Sequence, residues 1–162
     1  MIPFELWPLP AQVVLVGAGA AACMDLGLWL QRRLDFGPIG RWVGHMARGR
    51  FVHEAIAKAA PVRGEKAIGW AVHYATGIAF AGLLVALAGP GWLAAPTPGP
   101  ALAVGIGTVL APLFVMQPAM GAGIASRRTA TPWRNRLRSL LNHAVFGTGL
   151  YLAALALRWA LR

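Results

Sequence analysis

Four apolar stretches, residues 11–31, 67–88, 101–125 and 137–161, constrain this chain more than any motif in it. Crossing a hydrocarbon core of about 30 Å takes about 20 helical residues. Inside lipid every backbone N–H and C=O must be paired, which leaves helices or closed barrels. No alternating strand pattern runs through these stretches. The fold class is therefore all-α, a polytopic membrane protein with four transmembrane helices in a small-residue-packed bundle and a short interfacial helix or two within residues 32–66. The 162 residues suit one membrane domain. Charged residues make up 12% of the chain, well below the roughly 25% of a soluble domain. Its 20 Gly and 12 Pro are scattered through the apolar runs, where membrane helices accept both.

Thirteen of the 15 Lys and Arg residues fall in two connections: eight in residues 32–66, four in 126–136, and Arg138 just beyond. Lys- and Arg-rich loops stay on the cytoplasmic side. Residues 89–100 carry no charge, and residues 1–10 only Glu5. The expected placement is that of a multi-pass membrane protein with both termini outside. Arg158 and Arg162 oppose this, but at a helix end long side chains reach the interface. Trp7, Trp92 and Trp159 suit an outer aromatic belt, and Trp42, Trp70 and Trp133 an inner one. The first run lacks the basic n-region of a signal peptide, so it reads as uncleaved. The net charge of +10 does not line one helix or an aromatic sheet, so the expected partners are membrane lipids and anionic headgroups rather than nucleic acid. The lone Cys23 excludes an intrachain disulfide framework.

Gly17, Gly19 and Ala22 sit at the spacing of a dinucleotide-binding loop, but no strand–helix alternation follows. The same residues make small faces (Gly17 with Ala21, Ala18 with Ala22) that let a neighbouring helix approach. Asp25 is of greater interest, because a carboxylate at the centre of a spanning helix costs about 3 kcal/mol and takes a partner or faces water. At about 1.5 Å per residue, Asp25, His73 and His143 each lie about 9 Å from the cytoplasmic end of their helix, and Gln117 about 12 Å. Each helix thus places a polar side chain at nearly one depth. Glu65, Gly69, His73, Gly77 and Ala81 share an i, i+4 line, as do Ser139, His143 and Gly147. Pro112 and Pro118 free backbone carbonyls around Met116 and Gln117, as in the broken helices of transporters. The candidate intramembrane polar site is therefore Asp25, His73, Met116, Gln117 and His143; it serves either a ligand or only an interhelical hydrogen-bond clamp.

A metal reading draws on Asp25, His73, His143 and the nearby Cys23, Met24, Met116 and Met120, but no HxxxH or CxxC spacing supports it. A haem held by His73 and His143 suits a four-helix bundle, without an attachment motif. No metal is assigned, and the cofactor is left open. In the first basic loop, a helical Arg41, His45 and Arg48 would share one face, with Trp42 and Met46 beside it. That pattern suits an interfacial anchor among headgroup phosphates, or an anion or lipid-phosphate site of Arg41, His45, Arg48, His53 and Arg127.

The blocks Gly40-Arg41-Trp42-Val43-Gly44-His45, Arg48-Gly49-Arg50-Phe51, Gly69-Trp70-Ala71-Val72-His73-Tyr74, Met116-Gln117-Pro118-Ala119-Met120-Gly121, Arg136-Leu137-Arg138-Ser139-Leu140 and His143-Ala144-Val145-Phe146-Gly147 carry a resemblance. From about residue 14 to 157 the chain resembles a family of small bacterial inner-membrane proteins known as domain of unknown function family 2938. The resemblance implies a bacterial polytopic membrane protein and carries no activity or site residue with it.

Three functional readings follow. The first is a small-solute or ion transporter or channel-like protein whose polar site opens to the cytoplasm, with a homodimer expected because four helices are few for alternating access. The second is a membrane enzyme or lipid-phosphate-binding protein at the cytoplasmic leaflet. The third is a non-catalytic assembly factor.

Overall fold

The computed structural model describes residues 7–161. Pro3, Glu5 and Arg162 lie outside them. All regular structure among the described residues is helical, and four helices are long and apolar enough to cross a membrane. The protein is a multi-pass helical membrane protein.

Helix α1 (Leu9–Leu30) starts after extended Pro8, with Pro10 in its first turn. It ends in a left-handed turn at Arg32. Helix α2 (Gly37–Met46) is the short element of the first basic loop, begun by Pro38 and by Asp35 Oδ1 accepting the Gly37 N–H at 2.9 Å. A 3₁₀ turn, Ile56–Lys58, is the only other regular structure in that loop. Helix α3 (Glu65–Ala88) lies between Gly64 and Gly89, both at positive φ. After the short α4 (Gly91–Ala94), the third span runs through α5 (Pro98–Gly107), a π segment (Pro112–Met116) and α6 (Gln117–Ala119). It stops at 119 rather than 125 because Gly121 and Gly123 turn the chain at φ 97 and 73. Helix α7 (Pro132–Ala160) starts at Pro132 rather than 137, since proline suits a first helical turn and Arg134 and Arg136 do not interrupt it.

Helix α1 packs against α3 on one side and α7 on the other; α7 also carries α5, and α2 lies on α3. Small residues set these approaches. A Cβ on Gly17 would stand 2.5 Å from Ile78 Cα, and one on Gly105 would collide with Gly147 Cα. In lipid, where apolar side chains gain little by leaving the solvent, such close backbone packing is what holds helices together. Gly17 and Ala21 do face α3, whereas Ala22 is exposed. The core of Val16, Ala20, Ala81, Leu84, Leu93, Ala101, Leu150 and Ala154 fills the half of the bundle away from the basic loops. Trp92 belongs to that core, with its indole N–H donated to the Thr97 carbonyl at 3.2 Å, so it seals the end of the bundle instead of joining a lipid-facing belt. Trp133 and Trp159 are exposed.

Candidate functional site

The half of the bundle beside the basic loops is built differently. In the third span Thr108 gives its hydroxyl to the Gly105 carbonyl at 2.7 Å, and below it the backbone widens into the π segment. Pro112 and Pro118 each lack an N–H to continue an α ladder. The main neighbours of the π segment are α7 and the 124–126 turn. A cavity of about 460 Å³ lies between this stretch, α1, α2, α3 and α7, a size within the range of small-molecule sites. Its apolar wall includes Leu28, Phe36, Val72, Phe80, Val115 and Phe146. Its polar groups are His73, Thr76, Gln117, Ser139, Asn142 and His143, with Arg33 and Asp35 on the loop side.

The expected polar layer falls here. His73, Met116, Gln117 and His143 all line the cavity, and Asp25 stands behind His73. Tyr74 donates its hydroxyl to Asp25 Oδ2 at 2.8 Å. His73 Nε2 lies 2.8 Å from Asp25 Oδ1, close enough for an ion pair, yet the two atoms are not aligned as a hydrogen bond and neither has another partner. Phe36 stacks on the His73 ring at 4.2 Å between centroids. The carboxylate and the stacked ring together hold the imidazole at the cavity wall.

His143 is fixed from the opposite side. Its Nδ1 lies 3.1 Å from Thr108 Oγ1 and 3.2 Å from the Gly105 carbonyl. The carbonyl only accepts and the Thr108 proton is already donated, so Nδ1 carries hydrogen. Nε2 is then the acceptor nitrogen left for an occupant of the cavity. Gln117 Oε1 accepts from buried Ser126 at 2.8 Å, and its amide nitrogen points to Ser139 Oγ at 3.4 Å. Among the described residues, no three His, Cys, Asp or Glu side chains gather to hold a metal ion.

A second, more polar chamber of about 330 Å³ adjoins the first. The two share Leu28, Arg33, Gln117, Ser139 and Asn142; the outer one adds Gln31, Thr129, Asn135 and Arg138. Residue spacing within single helices gave no sign of these outer groups, because they come from three separate segments. Tyr74 and Thr108 were also missed, although each is one side chain away from a histidine that the sequence singles out.

The five residues of the anion reading are arranged otherwise. None of them lines either chamber. Arg41 makes a two-pronged pair with Glu65 (Nε–Oε2 2.8 Å, Nη2–Oε1 2.7 Å) and turns Nη1 toward the carbonyls of Ile56, Ala57 and Ala59. Hydrogen bonding to Glu65 holds the Arg41 guanidinium above its ordinary pKa. His45 is buried and donates Nε2–H to the Ala60 carbonyl at 2.9 Å. His53 is buried beside it, 5.0 Å between ring centroids, and its backbone N–H reaches the Ala119 carbonyl at 2.8 Å. Arg48 lies beyond the end of α2, so the expected Arg41–His45–Arg48 face does not form; Arg48 and Arg127 are exposed.

No curated protein and no solved structure matches the chain. Residues 14–157 match the family model described as Protein of unknown function (DUF2938). That match takes in the second and third spans whole, most of the first and fourth, both basic loops and every residue of the cavity wall, and the chain belongs to this family.

Proposed function

We propose that the protein is a small-solute transporter or channel-like protein of a bacterial inner membrane, with both termini on the periplasmic side and its site opening toward the cytoplasmic basic loops. The observation that supports this reading most is the cavity, which all four spans wall and in which an acceptor nitrogen, an amide and hydroxyls meet an apolar surface. The π segment with its Pro112 forms one wall, Pro118 follows in α6, and such interruptions mark places where a helix deforms at a working site. A homodimer belongs to the proposal, since four helices leave little scaffold against which a site can move. The headgroup-binding reading built on Arg41, His45, Arg48, His53 and Arg127 has lost Arg41 to Glu65 and His45 to Ala60.

Cysteine accessibility tests the proposal. In a Cys23→Ser background, Ser139→Cys and Phe80→Cys are placed in vesicles of one orientation and treated with a membrane-impermeant methanethiosulfonate reagent. Ser139→Cys is expected to react from the basic-loop side. A conduit also requires Phe80→Cys to react from the opposite side in part of the population. Reaction from the basic-loop side alone would reduce the site to a closed pocket, and no reaction at Ser139→Cys would mean a dry one.

A further inference from the structure

We infer that the two chambers together recognise an amphiphilic anion, its apolar body in the inner chamber and its acidic head between Arg33 and Arg138 in the outer one. This rests on the transport reading above and names the class of solute. The outer chamber contains two guanidinium side chains and no carboxylate. Neither arginine has an ion-pair partner among the described residues, where the pairs are Arg41–Glu65 and His73–Asp25. Arg33 and Arg138 are near enough to feel each other's charge. Two uncompensated cations facing one space favour an anion there, and guanidinium groups match a carboxylate or phosphate in two-pronged geometry. Asp35, the acid that lines the inner chamber, has Oδ1 occupied by the Gly37 N–H.

The backbone that carries the arginines is fixed. Arg33 follows the left-handed Arg32, and its N–H closes onto the Leu28 carbonyl at 2.9 Å, fixing the chain just past the end of α1. Arg138 stands on α7 one residue before Ser139. Gln117, Ser139 and Asn142 line both chambers, whereas Val72, Phe80 and Phe146 line the inner one alone, together with His73, Thr76 and His143. A solute polar throughout would leave its buried groups unpaired against those apolar side chains, and a wholly apolar one would leave the arginines bare. A molecule with one ionised end satisfies both chambers. A free organic acid and the acidic end of a lipid share this chemistry.

The test measures binding of 4-phenylbutyrate and of its neutral amide to the full chain in detergent. The wild type is expected to bind the acid about tenfold or more tighter than the amide, as charge-assisted hydrogen bonds allow. Arg33→Gln and Arg138→Gln should each erase that preference while still binding the amide, which also shows that the variants are folded. Arg138→Lys should keep much of it. Nanodiscs of phosphatidylglycerol that displace the acid, where phosphatidylcholine does not, would identify a lipid as the source; no difference would identify a free acid. Equal binding of acid and amide overturns the inference and leaves the transport proposal standing. So does absence of binding when Ser139→Cys still reacts with the methanethiosulfonate reagent. Absence of both overturns the two together.

Discussion

The α5–α7 pair changes character along its own length. Away from the basic loops, Gly105 meets Gly147 backbone to backbone. Beyond Thr108 the third span widens into the π segment, and a cavity opens that includes Pro112, Gln117, Ser139 and His143. The cavity end has no glycine in residues 108–119 or 132–143, so it lacks the close approach that Gly105 and Gly147 give the packed end. The backbone differs as well: an unbroken ladder lets glycine bring helices into contact, whereas a proline-interrupted one leaves a gap lined by polar groups. In a bilayer this difference governs stability, because lipid tails solvate apolar side chains as well as a protein core does.

If the packed half carries the fold, its disruption should have the largest effect. Gly147→Leu forces a side chain into the Ala101 carbonyl and Leu102 Cα, at 2.9 and 3.1 Å from where its Cβ must sit. The expected cost is about 3 kcal/mol or more, from overpacking with no room to shift, read as loss of the monodisperse peak in detergent chromatography. Leu84→Ala, at a side chain with 0% exposure, should cost about 1–2 kcal/mol, since lipid cancels the transfer part and leaves the lost packing. Thermal unfolding in micelles measures it. A neutral outcome for both would remove the contrast between the two halves.

The remaining variants sharpen the contrast at the cavity. Tyr74→Phe deletes the donor to Asp25 and should cost about 1 kcal/mol, measured by the same unfolding experiment. Thr76→Val changes a cavity-wall residue of nearly constant shape and should shift stability by less than about 0.5 kcal/mol. A large loss from Thr76→Val would mean that the cavity half is as tightly specified as the packed one.

The sequence shows much of this arrangement because depth in a membrane can be counted. Asp25, His73, Gln117 and His143 come together since each is a similar number of helical steps from a basic loop, and the order of residues along a helix is fixed before any packing occurs. Rotation about the helix axis is not fixed in that way, which is why Trp92 turns into the core instead of toward lipid. The face expected of Arg41, His45 and Arg48 depended on α2 continuing through Arg48, but α2 ends at Met46. The Arg41–Glu65 pair was hidden for another reason: its partners are 24 residues apart, and only the return of the loop past the 56–58 turn unites them. Arg33 and Arg138 escaped notice because orientation already accounted for every loop arginine.

The two basic loops are also joined to each other. The His53 N–H reaches the Ala119 carbonyl at 2.8 Å, the Ile56 N–H reaches the Met120 carbonyl at 3.0 Å, and Gly121 is pressed against the Glu54 carbonyl. Residues 53–56 are thereby coupled to the lower end of the third span, and the Arg41–Glu65 pair couples that same loop to α2 and α3. The wall formed by the π segment therefore does not swing alone. Any displacement of Gln117 is geared through the first loop to α2, whose Ile39 and Trp42, with Phe36 just before the helix, close the cavity from the other side.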